Sequence, residues 1–176
     1  MVRNKAQGFA LIDLIFVCGI IGLLCSIALP RLLLAQQSAG AASAIGSMRT
    51  INSAQLTFAL TCGGGFYAPD LPTLGTAPPG SHEPFITSGL STGAVINKAG
   101  YTIQMSAVPF AGAPPSCNGL GAGAGGQGFV AAADPNSGGN FRFFATNSNN
   151  IIYENTSSLY ATMPEIGVPA AGGPIR

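Results

Sequence analysis

Apolar and polar positions divide the chain into a long apolar run near its start and a more polar remainder. The 21 residues Phe9–Leu29 are apolar or small, apart from one acid, Asp13, and one hydroxyl, Ser26. An α-helix rises about 1.5 Å per residue, so this run would be about 31 Å long, close to the hydrocarbon thickness of a bilayer. We therefore expect residues 9–29 to form a membrane-spanning helix.

A second pattern, with the period of an α-helix, follows Pro30. Apolar residues recur every three or four positions with hydroxyl residues between them, which is typical of an amphipathic helix. The apolar positions are Ala41, Ile45, Met48, Ile51, Ala54 and Phe58, and the polar ones are Ser43, Ser47, Thr50 and Ser53. We expect residues 30–60 to continue the first helix, to end before the Gly63–Gly65 run, and to pack their apolar face as ordinary core.

Strand patterns appear later, within residues 61–176. Apolar and polar residues alternate most clearly in Tyr101–Ala107, and shorter strand patterns follow at 129–133, 140–146 and 151–154. They predict an antiparallel meander of three or four strands in a globular head. The fold class is therefore α+β, with a long N-terminal helix packed on a small antiparallel sheet.

The rest of this region is rich in Gly, Pro, Ser and Thr. We expect residues 66–100 to be mainly a surface loop, with a short helical or extended piece in 83–90. The tail from Met163 to Arg176 is predicted to be an extended strap or disordered.

Composition narrows the classes of function. Charged residues are 7% of the 176 residues, against roughly 25% in ordinary soluble proteins, and the net charge is +1. No basic field exists to attract nucleic acid, so we expect no nucleic-acid partner. Because His82 is the single histidine and Trp is absent, the common acid–base constellations are hard to assemble. We expect no catalytic residues, no enzyme activity and no cofactor.

Charge also orients the apolar run. Arg3 and Lys5 precede it, whereas only Arg31 follows closely, which favours a cytoplasmic N-terminus and an exported remainder. Three ordinary explanations of such a run remain open. A cleaved secretory signal, which here could end near Ala39–Ala41, usually has an apolar core shorter than this run. A lipoprotein signal needs a small residue directly before its cysteine, whereas Val17 and Leu24 precede Cys18 and Cys25 here. A plain anchor explains the length but leaves Asp13 at a cost of about 2.5–3.5 kcal/mol.

A fourth explanation comes from the residues around Gly8. The stretch GFALIDL, residues 8–14, follows a short basic leader and precedes an apolar helix reaching Pro30. It resembles the class III signal of type IV pilins and of their pseudopilin relatives. The resemblance implies that a prepilin peptidase removes residues 1–8 by cutting between Gly8 and Phe9, and that the amino group of Phe9 is then methylated.

The same resemblance assigns roles in assembly. It implies that Asp13, where the family usually has Glu, pairs with a free terminal amine in a growing filament. An ammonium at Phe9 would lie one helical turn from Asp13, so the pairing is physically reasonable. Pro30 matches a proline that loosens many of these helices. The implied fold is pilin-like.

The function implied is a structural one. The chain would be a pilin, a subunit that forms a homo-oligomeric helical filament through residues 9–29. Its partners would be the prepilin peptidase, an inner-membrane platform protein and a cytoplasmic assembly ATPase. It would sit in the bacterial inner membrane as a single-pass protein before joining a periplasmic or extracellular filament. A pseudopilin of a type II secretion system is the alternative within this family.

Two further alternatives belong to other classes. A monomeric membrane-anchored binding module would need no assembly, and Asp13 would then be dispensable. A secreted enzyme would need a mature terminus near Ala42 and a polar cluster that the sequence does not offer.

The sequence contains four cysteines. We expect Cys62 and Cys117 to form a disulfide if this part is exported, with two free thiols as the alternative. Cys18 and Cys25 are interpreted as small packing residues of the membrane helix.

Two weaker motifs carry no chemistry in our interpretation. Gly121, Gly123 and Gly126 formally match a dinucleotide fingerprint, but no strand pattern precedes them and no helix pattern follows, so we interpret them as a glycine loop. His82 beside Glu83 lacks a second histidine and a cluster of acids, so no metal site is predicted.

Overall fold

The computed structural model describes residues 7–136 and 141–175, with side chains described from residue 11 onward. The chain divides into two units, Met1–Ser38 and Ala39–Arg176. We call the second one the compact unit.

A single α-helix, α1, runs from Gln7 to Thr61. Its end lies where the glycine run predicts it, because the N–H groups of Cys62 and Gly63 both donate to the carbonyl of Phe58. Gly64 and Gly65 then take positive φ values of 60° and 92°, which glycine adopts without the steric cost of a Cβ. The predicted long N-terminal helix is confirmed.

Within the described residues, the sheet of the compact unit has six antiparallel strands in chain order. They are β1 (Val95–Lys98), β2 (Tyr101–Ser106), β3 (Val130–Pro135), β4 (Phe143–Asn147), β5 (Ile152–Asn155) and β6 (Gly173–Pro174). Two short helical segments, α2 (Leu71–Leu74) and a 3₁₀ turn (Ser88–Leu90), precede them. The meander predicted from the sequence is confirmed, but its expected size of three or four strands is wrong.

The expected loop at residues 66–100 needs the largest correction, because it contains α2 and β1. The 3₁₀ turn at Ser88–Leu90 lies within 83–90, where a short helical or extended piece is expected. Only Ile96 of β1 is buried, so the strand shows no alternation of apolar and polar residues. Its pairing with β2 arises from a two-residue turn in which Ala99 and Gly100 have φ values of 50° and 81°. Alanine is rare in such left-handed turns, so the usual hairpin signal is missing.

The sheet is covered on both faces. On one face, Met48, Ile51 and Phe58 of α1 pack in a cluster with Ile103 and Phe144. On the other face, a smaller cluster joins Val130, Ala132, Ala145, Tyr153, Leu159 and Met163. The apolar stripe of α1 is thus core, as predicted. The second cover, from Leu159 and Met163, explains why β3 is buried at successive positions.

Strand boundaries differ modestly from those expected. The strand predicted at 140–146 begins at Phe143, and Asn140 lies outside the described residues. The tail expected as a strap or disordered forms β6, in which Gly173 pairs with Glu154 of β5.

Candidate membrane-spanning and assembly segment

Residues 11–34 of α1 expose a mostly apolar surface. Every residue from Leu11 to Leu34 is exposed, including Phe16 at 66% and Leu23 at 70%. The core side chains Met48, Ile51 and Phe58 are, in contrast, fully buried. By length and composition α1 can cross a membrane. Residues 11–34, which we call the exposed apolar segment, are therefore the candidate functional site.

Asp13 is the single acid of this segment. Its residue is exposed among leucine and isoleucine side chains such as Ile12 and Leu14. Within the part of the chain that the structure describes, no basic side chain lies within ion-pairing distance of it. An ionised carboxylate in apolar surroundings is costly unless a counter-charge reaches it, so a membrane or another apolar surface over this segment would impose that cost on Asp13.

Pro30 lies inside α1. Proline has no N–H, so the carbonyl of Ser26 lacks its usual helical donor. The Ser26 hydroxyl donates to the carbonyl of Leu23 at 2.8 Å, which satisfies that hydroxyl without water. Because one helical hydrogen bond is missing at Pro30, α1 continues through a locally weakened turn.

The predicted processing residues lie at the edge of the described chain. Gly8 and Phe9 belong to α1, but their side chains lie outside the described residues, as do residues 1–6 of the predicted leader. Cleavage and methylation at this bond remain predictions.

The four cysteines separate into two groups. Cys62 and Cys117 form a disulfide with Cα atoms 4.8 Å apart, and the Cys117 N–H donates to the Cys62 carbonyl at 3.1 Å. The bond ties the end of α1 to the loop before β3. Cys18 and Cys25 are exposed, unbonded thiols in the exposed apolar segment.

Comparison of the chain with protein-family models, with curated proteins and with solved structures gives no match.

The two weaker motifs carry no recognisable site. Gly126 pairs with Tyr67 and with Pro109 in isolated bridges, and strand β3 follows it, so the glycine pattern belongs to an irregular loop. His82 and Glu83 are exposed. The described residues contain no group of three or more His, Cys, Asp or Glu side chains placed to hold a metal ion.

Two carboxyl groups on the sheet, those of Asp134 and Glu154, have shifted pKa values. Arg142 donates from Nε and Nη2 to the two oxygens of Glu154, at 2.6 and 2.9 Å, and this holds the pKa of Glu154 below its ordinary value. Burial raises the pKa of Asp134, against the opposing effect of a hydrogen bond from Ser158. Both are accounted for by their local surroundings.

Sequence reasoning missed two buried polar residues on α1. Gln55 is fully buried; its amide donates to the carbonyl of Ala68 at 2.8 Å, and its carbonyl accepts from the N–H of Ala68 at 2.9 Å. Asn52 donates to the hydroxyl of Thr146 at 2.9 Å. Their place inside the apolar stripe was the available signal. They fasten the second part of α1 to Thr146 and to Ala68 within the compact unit.

Proposed function

We propose that this chain is a prepilin, and that its mature form is a structural subunit of a type IV-pilus-like filament. The observation that carries the proposal is the exposed apolar segment with one acid, Asp13, near its start. Lipid covers this surface before assembly, and other copies of the chain cover it afterwards. The sequence resemblance at residues 8–14 supports the same assignment.

The compact unit fits the role of a filament surface. The buried side chains of Asn52 and Gln55 on α1 are satisfied internally, and the disulfide ties the end of α1 to the loop before β3. Charged residues are few, so little desolvation of ions opposes lateral packing between copies. We assign the chain no chemical reaction of its own.

The partners follow from the proposal. A prepilin peptidase would cut after Gly8 and methylate Phe9, and an inner-membrane platform protein with a cytoplasmic ATPase would drive assembly. A type II secretion pseudopilin would share the processing and the helix contacts, and would form a short periplasmic structure in place of a surface fibre.

Substitution of Asp13 separates assembly from simple anchoring. Asp13→Ala removes the acid that the proposal needs for pairing, so we expect at least a tenfold loss of protein from the sheared-surface fraction, with the amount in the membrane unchanged. Asp13→Glu keeps the charge and serves as the matched control, with assembly retained. An unchanged amount of Asp13→Ala in the sheared-surface fraction would contradict the role of this acid in assembly, and absence of the wild type from that fraction would indicate a monomeric anchored module.

A further inference from the structure

The exposed apolar segment holds two charges of opposite sign, Asp13 and Arg31. Residues 11–34 contain no other Asp, Glu, Lys or Arg, and both residues are exposed. Arg31 is followed by Leu32, Leu33 and Leu34, which are 55 to 59% exposed. Packing this surface against any apolar surface would strip water from both charges, so each needs a counter-charge.

These two charges cannot neutralise each other within one helix. They are eighteen residues apart, and at 3.6 residues per turn this separation is five whole turns. The two side chains therefore lie on the same line along the helix, separated by about 27 Å at about 1.5 Å per residue. A second helix in the same orientation, shifted by that distance, would bring the acid of one beside the base of the other.

We propose that Asp13 of one copy pairs with Arg31 of a neighbouring parallel copy that is shifted by about 27 Å along the helix axis. This inference rests on the proposed function and names the contact that sets the stagger between copies. Copies inserted in one membrane share one orientation, which favours the parallel arrangement. Each copy offers one acid and one base at different heights, so the contact is head-to-tail and generates an open filament instead of a closed dimer.

The chemistry of the pair suits its surroundings. The planar guanidinium of Arg31 can donate two parallel hydrogen bonds to one carboxylate, which fixes direction as well as distance. A carboxylate has about four acceptor positions, so Asp13 can accept from Arg31 and also from the terminal amine that the sequence resemblance implies. The apolar neighbours Leu32–Leu34 would exclude water from the contact.

The first test measures the yield of filaments sheared from cells that express full-length variants. Arg31→Gln should lower the yield at least tenfold without lowering the amount in the membrane, and Arg31→Lys should retain part of it. Arg49→Gln is the matched control, because Arg49 is also an exposed arginine of α1 but lies outside the exposed apolar segment. An unchanged yield for Arg31→Gln would overturn the pairing.

The second test measures the stagger by cysteine cross-linking in a background with Cys18→Ala and Cys25→Ala. Ile20 lies seven residues after Asp13, and Ser38 lies seven after Arg31, so the proposed shift places them together. Cells expressing an Ile20→Cys copy and a Ser38→Cys copy should give a cross-linked dimer that neither variant gives alone.

A different pair reports the competing arrangement. An antiparallel contact between Asp13 and Arg31 would instead bring Ile20 beside Leu24, so a dimer from Ile20→Cys with Leu24→Cys would overturn the parallel stagger. The parallel stagger would also be overturned if the wild type forms filaments but cells with the Ile20→Cys and Ser38→Cys copies give no cross-linked dimer. Absence of any wild-type polymer would overturn the proposed function itself, which keeps the two failures distinguishable.

Discussion

At the scale of single residues, Gln55 joins α1 to the chain that follows it. Its side chain makes two hydrogen bonds with the backbone of Ala68 and one, at 3.1 Å, with the sulfur of Met105. All of these atoms lie in the core, where an unpaired polar group costs more than a hydrogen bond gains. The side chain therefore stabilises the compact unit mainly by preventing that cost.

Replacement of this glutamine should destabilise the compact unit. Gln55→Leu leaves the N–H and the carbonyl of Ala68 without partners, so we expect the free energy of unfolding to fall by about 1–3 kcal/mol. Chemical denaturation of the full-length protein in detergent measures this change. Ser53→Ala, at an exposed position of the same helix, should change stability by less than about 0.5 kcal/mol. Equal stability of Gln55→Leu and wild type would contradict the assignment.

Residue-level prediction from the sequence had a clear physical limit. Asp13 stands out because its neighbours in sequence are also its surroundings on the helix. Asn52 and Gln55 do not stand out, because their partners Thr146 and Ala68 lie 94 and 13 residues away. A polar residue in an apolar stripe is a visible signal, but the partner that satisfies it is set by tertiary structure.

At the scale of elements, α1 approaches the turn between β1 and β2 very closely at Gly40. A Cβ atom built on Gly40 would lie 2.7 Å from the carbonyl oxygen of Ala99. The neighbour is backbone, so it cannot rotate away as a side chain could. The absence of a side chain at this position therefore lets the helix and the turn come together.

Two glycines of α1 give a matched pair of substitutions. Gly40→Ala should destabilise the compact unit by about 1–3 kcal/mol, because the turn must shift to relieve the overlap. Gly46→Ala, where nothing lies within 4 Å of the new Cβ, should stabilise the helix by about 0.5–1 kcal/mol. Thermal unfolding of both full-length variants measures the difference. Destabilisation of equal size in the two would contradict the close approach at Gly40.

Elements with a strong local pattern were predictable, and the others were not. The helix and β2 follow from periodicity, since Tyr101, Ile103 and Met105 are buried as the alternation requires. β1 and β6 have no such pattern, because they exist through pairing with β2 and β5. The pairing supplies the hydrogen bonds that their own side chains do not indicate.

At the scale of the whole molecule, one covalent bond joins the end of α1 to a Gly- and Pro-rich loop. The disulfide between Cys62 and Cys117 closes a stretch with a sequence separation of 55 residues. Closing a loop of this size restricts the unfolded chain and stabilises the folded one.

Removal of this bond should lower the stability of the compact unit and leave the exposed apolar segment unchanged. Cys62→Ser with Cys117→Ser should lower the free energy of unfolding of the compact unit by about 2–4 kcal/mol. Denaturant midpoints with and without a reductant report the same change in the wild type. Cys18→Ala with Cys25→Ala removes the thiols of the other unit and should leave the midpoint unchanged. A wild-type midpoint that does not respond to reduction would contradict this role.

The contrast between the two units is the central structural fact. The compact unit buries an apolar core that includes Met48, Ile51 and Phe58, whereas the exposed apolar segment leaves side chains from Leu11 to Leu34 uncovered. The sequence predicted this segment and the resemblance at residues 8–14 supplied its interpretation. In the proposed function the contact partners of the segment belong to other molecules, so a single chain does not reveal them.

The most direct test is the intact mass and N-terminal fragmentation of the protein recovered from its native membrane and sheared-surface fractions. The account predicts a mature chain that begins at N-methylated Phe9, with this form present in the sheared fraction. A chain that retains Met1, or one that begins at Ala42, would contradict prepilin processing. The first result would indicate a plain anchor and the second a secreted protein.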